Sequence, residues 1–135
     1  GIILVKFKYL DRWTKKRRKN AQKYNRLFKE KGLLNKLTLP SEVVSHHVYN
    51  QYVVRVKENR DKLRNFLGEN NIATEIYYPL PLHLQDCFAY LGYKKGDFPE
   101  SEKAANEAIA LPVFPELTES QLEYVVETIS QFFKK

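Results

Sequence analysis

The run Glu75-Ile76-Tyr77-Tyr78-Pro79-Leu80-Pro81-Leu82-His83-Leu84-Gln85 combines hydrogen-bonding groups with a restrained backbone. Two phenolic hydroxyls, two prolines and an imidazole leave the end of an expected strand together. Proline fixes φ, so such a loop is stiff. A stiff loop presenting tyrosine hydroxyls and an imidazole suits a polar ligand such as a sugar or a phosphate. The competing reading is a packed loop whose Tyr and His are satisfied by backbone, and residue types alone leave both open. His83 and Cys87 stand four apart and could approach at a helix start. Nothing nearby would lower the thiol pKa, however, and a lone cysteine usually serves as a small core residue. His46 and His47 are adjacent before a strand, so their rings point to opposite faces and do not easily share a metal. The five glycines are scattered, with no phosphate-binding loop among them, and no serine sits in a nucleophile elbow.

The elements that position these groups must come from 135 residues, 43% apolar and 29% charged, which is enough for one domain with a buried core. No stretch approaches the ~20 apolar residues of a membrane span. The apolar run 2–5 is too short for a secretory signal. A single cysteine excludes an internal disulfide and a zinc cluster, so a reducing, cytoplasmic setting is expected. The net charge of +7 is unevenly placed: residues 1–31 carry 12 of the 23 Lys/Arg and 2 of the 16 Asp/Glu, a local balance of +10, while the remainder sums to −3. A basic segment at 6–31 is either a solvated helix face or a footprint for phosphate-bearing ligands or nucleic acid. Lys6, Lys8 and Arg12 are its candidates for contacts to a phosphate-bearing ligand or an interface, against the solvated-face reading.

Apolar spacing predicts one helix over 2–31, with Ile3, Phe7, Leu10, Thr14, Arg17, Ala21, Tyr24 and Phe28 on one face and Gly32 as its stop. Its first turn, Ile2 to Val5, is apolar all round and should be covered by something. Residues 33–45 form a connector. Alternation predicts a strand at 48–56, with Val48, Asn50, Tyr52, Val54 and Val56 facing one way. A short helix follows over 58–68, with Asn59 as N-cap and Asn70-Asn71 at its end. A second strand is predicted at 72–78, and prolines then force extended chain. A brief helix at 84–91 closes at Gly92, another runs from Pro99 or Ser101 to Ala110, and 111–115 is extended. Thr118 caps the last helix, with Gln121 completing a capping box. The expected class is α+β: a small, mostly antiparallel sheet packed against helices, with a long N-terminal helix.

Several runs together resemble the C-terminal part of the DegT/DnrJ/StrS family of sugar aminotransferases. They are Val48-Tyr49-Asn50-Gln51-Tyr52 through Arg60-Asp61, 72–85, Leu91-Gly92-Tyr93-Lys94-Lys95-Gly96-Asp97-Phe98-Pro99, Glu102-Lys103, and Leu111-Pro112-Val113-Phe114-Pro115-Glu116-Leu117-Thr118. Leu4-Val5-Lys6-Phe7-Lys8-Tyr9-Leu10-Asp11 with Arg17-Arg18 is similar to the helix joining that family's large and small domains.

The resemblance implies a division into an interdomain helix, 1–32, and an aminotransferase small domain, 33–135. It implies a parent transferase that uses pyridoxal 5′-phosphate, with glutamate as the usual amino donor and a ketosugar on a nucleoside diphosphate as acceptor, in polysaccharide or antibiotic sugar biosynthesis. It implies a homodimer, with the missing large domain and a second subunit as partners. It places Tyr77, Tyr78, Pro79 and Leu80 on a loop that reaches the sugar-nucleotide, with His83 close behind. Many members carry His where Tyr77 stands, so a histidine role there does not transfer. The family's cofactor lysine, its pyridine-pairing aspartate and its phosphate cradle have no counterpart here. The chain by itself is therefore expected to have no catalytic, cofactor-binding or metal-binding residue, to bind no cofactor and to be inactive, as a fragment of its parent. The alternatives are a basic nucleic-acid-binding or regulatory module and a protein-interaction module; no specific nucleic acid and no membrane are expected as partners.

Overall fold

A computed structural model describes residues 1–43 and 46–134. The expected single N-terminal helix is two: α1, Ile2–Phe7, and α2, Leu10–Glu30. The break falls at Lys8 and Tyr9, where the Tyr9 N–H donates to the Lys6 carbonyl at 2.9 Å instead of one residue further back. The Tyr9 ring leans on Trp13 at 5.7 Å, which ties this turn to α2. No residue of α1 is buried, so packing does not hold it in register with α2. The predicted stripe is realised only from Thr14 onward, through Ala21, Tyr24 and Phe28.

Three strands form one antiparallel sheet in the order β1-β2-β3. They are β1, Leu37–Thr38, β2, Tyr52–Val56, and β3, Ala108–Leu111. The strand predicted at 48–56 keeps its phase, with Tyr52, Val54 and Val56 buried, but starts later. Tyr49, at φ 46, lies in the left-handed region and cannot continue an extended strand. Leu37 and Thr38 lie in the expected connector, whose last two residues, Val44 and Ser45, fall outside the described residues. The strand predicted at 72–78 shrinks to a bridge in which Glu75 and Ala110 exchange backbone hydrogen bonds of 3.2 and 2.8 Å. The first three residues of β3, Ala108, Ile109 and Ala110, lie in the expected helix: α4, Pro99–Glu107, stops early because Ile109 and Leu111 are drawn into the core beside β2. Alanine favours helix, but burial of these neighbours outweighs that preference.

α3, Arg60–Glu69, and α5, Glu119–Lys134, complete the core with α2. The capping box is present: the Thr118 N–H donates to Gln121 Oε1 at 2.9 Å, and the Gln121 N–H to Thr118 Oγ1 at 3.3 Å. Short 3-10 turns stand at Leu33–Asn35, Leu82–Leu84 and Asp86–Leu91, the last two in place of the single brief helix expected at 84–91. The buried face of the sheet, Tyr52, Val54, Val56, Ile109 and Leu111, meets Phe28, Leu63, Leu67 and Ile129. Strand alternation sends Val53, Arg55, Ala108 and Ala110 to the opposite face. Among the described residues no helix is long and apolar enough to cross a membrane.

Candidate functional site

That opposite face of the sheet, with the irregular chain from Asn71 to Leu82, forms two adjoining hollows of about 740 and 330 Å³. Gln51, Glu75, Tyr77 and Ala110 line both and so make their shared wall. The Glu75–Ala110 bridge fixes this wall from below. The larger hollow adds Asn50, Thr74 and Tyr124 to an apolar floor, and the smaller runs between the sheet, Tyr78, Leu82 and the alanines of α4. Hydroxyl, amide and carboxylate groups on an apolar base can bind a polyhydroxylated ring by edge hydrogen bonds and face contact.

The structure brings together some of the sequence-derived site residues and separates others. Tyr77 and Tyr78 stand at the rim, 50% and 67% exposed. Pro79 and Leu80 are exposed beside them, and Pro81, which is buried, anchors the bend. His83 lines neither hollow. Its ring packs 4.9 Å from Phe98, and its Nε2 lies 3.1 Å from Glu102 Oε1. The Gly96 N–H donates to the same oxygen at 2.7 Å. That bond first, and His83 second, holds the Glu102 carboxyl below the usual carboxylate range. Cys87 is exposed, and its Sγ faces Gln85 Oε1 at 3.8 Å. His47 Nδ1 accepts the Tyr49 N–H at 2.9 Å while His46 is exposed. No group of three metal-ligating side chains occurs among the described residues.

Part of the basic helix is spent inside the molecule. Arg17 donates to the Val48 carbonyl and to Thr14, and Arg18 to the His47 carbonyl with Glu42 at 2.8 Å. Lys23 pairs with Glu119 and Glu123, and Lys31 with Glu127. Lys6, Lys8 and Arg12 are exposed, with Arg12 over the Tyr9 ring at 5.3 Å, and none of the three lines a hollow.

Pyridoxal phosphate, the cofactor implied for the parent, needs a lysine amine and a cradle for its phosphate. Among the described lining residues of the two hollows there is no lysine, and the one cation, Arg17, already donates to Val48 and Thr14. The residues present do not fit that group. Sequence reasoning passed over Gln51 and Glu75. Gln51 falls on the second side of the alternation predicted at 48–56, but the place of Glu75 on the shared wall depends on the bridge to β3, which no local signal announced.

A profile of the DegT/DnrJ/EryC1/StrS aminotransferase family matches residues 1–130. A pleiotropic regulatory protein of Geobacillus stearothermophilus is 54% identical over 135 residues, spanning 99% of this chain and 36% of the relative. A dTDP-3-amino-3,6-dideoxy-α-D-galactopyranose transaminase of Aneurinibacillus thermoaerophilus is 34% identical over 132 residues, spanning 98% of this chain and 35% of the relative. The crystal structure of DesV from S. venezuelae, in complex with a ketimine intermediate, superposes with a TM-score of 0.90 at 26% identity, covering 99% of this chain and 35% of that one. The chain thus spans about a third of the length of the curated relatives it matches.

Proposed function

The chain belongs to the DegT/DnrJ/EryC1/StrS aminotransferase family, and on that premise we propose that it is the small domain of a pyridoxal phosphate-dependent sugar aminotransferase. In this reading 1–32 is the interdomain helix and 33–135 the small domain proper. The remainder of the parent supplies the cofactor lysine and phosphate cradle. The parent moves an amino group from glutamate to a ketosugar on a nucleoside diphosphate, as a homodimer in the cytoplasm. The 135-residue chain alone is inactive. Tyr77, Tyr78, Pro79 and Leu80 form the lip against which the sugar rests, and His83 stands behind them.

The observation that carries this reading is Tyr77 on the wall shared by the two hollows, beside the exposed Tyr78-Pro79-Leu80 bend. Such a lip offers hydroxyls to a ring without supplying a nucleophile or a cation. Two assays test it. The complete parent should aminate a nucleotide-linked ketosugar with glutamate. The 135-residue chain mixed with pyridoxal phosphate should give no visible band of covalently bound cofactor, and such a band would contradict the claimed inactivity.

A regulatory or nucleic-acid reading draws on the name of the 54% identical relative and on the basic first segment. Engagement of Arg17, Arg18, Lys23 and Lys31 in internal contacts weighs against it. Binding to DNA with sequence preference at physiological salt would favour it over the transferase reading.

A further inference from the structure

The Tyr77–Leu80 rim is held at two ends. At one, Glu75 is bridged to Ala110. At the other, Pro81 is buried, and the turn Leu82–Leu84 follows. His83, in that turn, has 7% of its side chain exposed and meets a Glu102 carboxylate with 15% exposed. One carboxylate oxygen of Glu102, Oε1, receives both the His83 contact and the Gly96 N–H. Three separate segments therefore converge on one atom: the first turn of α4, the loop before it, and the turn that ends the rim. Gly96 stands at φ +99, a conformation open to glycine, and this aims its N–H at the carboxylate. Phe98 closes the cluster, 4.9 Å from the His83 ring and edge-on to Tyr93 at 5.0 Å. A histidine enclosed in this way is turned away from the hollows, so its influence on a ligand must pass through the backbone of the rim.

We propose that Glu102 is a positioning residue, a latch that sets the Tyr77–Tyr78 rim through His83. The proposal rests on the reading of the hollows as the sugar end of an aminotransferase site. Removing the carboxylate frees the turn Leu82–Leu84 and the loop at Gly96 together, while the core formed by Leu63 and Ile129 is untouched.

The test uses Glu102→Ala, Glu102→Gln and His83→Gln. In the 135-residue chain, Glu102→Ala should speed amide exchange of Gly96 about tenfold or more and loosen the Tyr77 and Tyr78 rings in NMR relaxation, leaving the Leu63 and Ile129 amides protected. Glu102→Gln keeps an oxygen acceptor and should restore most of that protection. Should Glu102→Ala fail to fold, His83→Gln must loosen the two tyrosine rings while Gly96 stays protected. In the parent, Glu102→Ala should raise KM for the nucleotide sugar about tenfold with kcat changed far less, and Glu102→Gln should rescue it. Unchanged Gly96 exchange and tyrosine order would overturn the latch. A loosened rim with unchanged KM would overturn its positioning role. A parent with no transaminase activity would overturn the underlying functional reading, and the exchange data would still judge the latch.

Discussion

The Tyr24 hydroxyl is buried without a hydrogen-bond partner among the described residues, although its neighbour Tyr52, with ring centroid 4.9 Å away, donates to Asn25 Oδ1 at 2.6 Å. Burial pushes both phenols well above their ordinary value of 10.0. An orphaned buried hydroxyl costs about 1–3 kcal/mol, whereas a satisfied one contributes about 1 kcal/mol. Tyr24→Phe is therefore expected to leave stability unchanged or raise it by about 1 kcal/mol, and Tyr52→Phe to lower it by about the same amount. Denaturant unfolding of the two variants checks the contrast. Arg60 gives a stronger case. With 9% exposure it donates to the carbonyls of Ala105 and Ala108 at 3.1 and 2.8 Å, holding the junction between α4 and β3. Arg60→Ala should cost about 2–3 kcal/mol, read as a lower denaturant midpoint, because those carbonyls and the rest of the guanidinium's network lose a charged donor.

At the scale of elements, α2 and α5 are joined by apolar packing and by Lys23 and Lys31 against Glu119, Glu123 and Glu127. The Glu119 and Glu127 carboxyls are held below their ordinary 4.5 by hydrogen bonds from Lys23 and Lys31, and Glu42 likewise, foremost by the His47 backbone N–H. Carboxyls depressed in the folded state add stability above pH 4.5 that is lost as pH falls through their folded values. Lys23, raised above 10.5 chiefly by Glu119, adds stability below that pH, lost as pH rises through its folded value. Unfolding free energy should thus fall in acid, and Glu119→Gln should flatten that fall; an unchanged acid slope would remove the pair from the account. How much of this was readable in the sequence varies by element. The phase of β2, the buried half of α2 and the capping box at Thr118 and Gln121 follow from local periodicity and side-chain chemistry, which neighbours reinforced. The break at Lys8 and Tyr9 was not legible because the apolar spacing runs on through it, and the alanine-rich β3 and the loss of the 72–78 strand were not because each is decided by long-range partners. His83 shows the same limit: its type announced hydrogen bonding, but only the fold shows that Glu102 takes it.

At the scale of the whole molecule, core and hollows lie on opposite faces of the sheet. One face of a three-stranded sheet is buried under three helices, and the other carries Val53, Arg55, Ala108 and Ala110 beside a proline-stiffened lip. The chain spans about a third of its relatives' length, and under the proposed reading its pocket belongs to a part that binds, with the reactive group supplied from elsewhere in the parent. The most direct measurement is steady-state transamination by the parent, with glutamate and a nucleotide-linked ketosugar, for Tyr77→Phe and Tyr78→Phe. We expect turnover in the unsubstituted parent and a KM for the sugar nucleotide raised about tenfold by Tyr77→Phe, with kcat changed far less, as for a lost binding contact. No turnover on any nucleotide-linked ketosugar, or a Tyr77→Phe variant with unaltered KM, would contradict the claim.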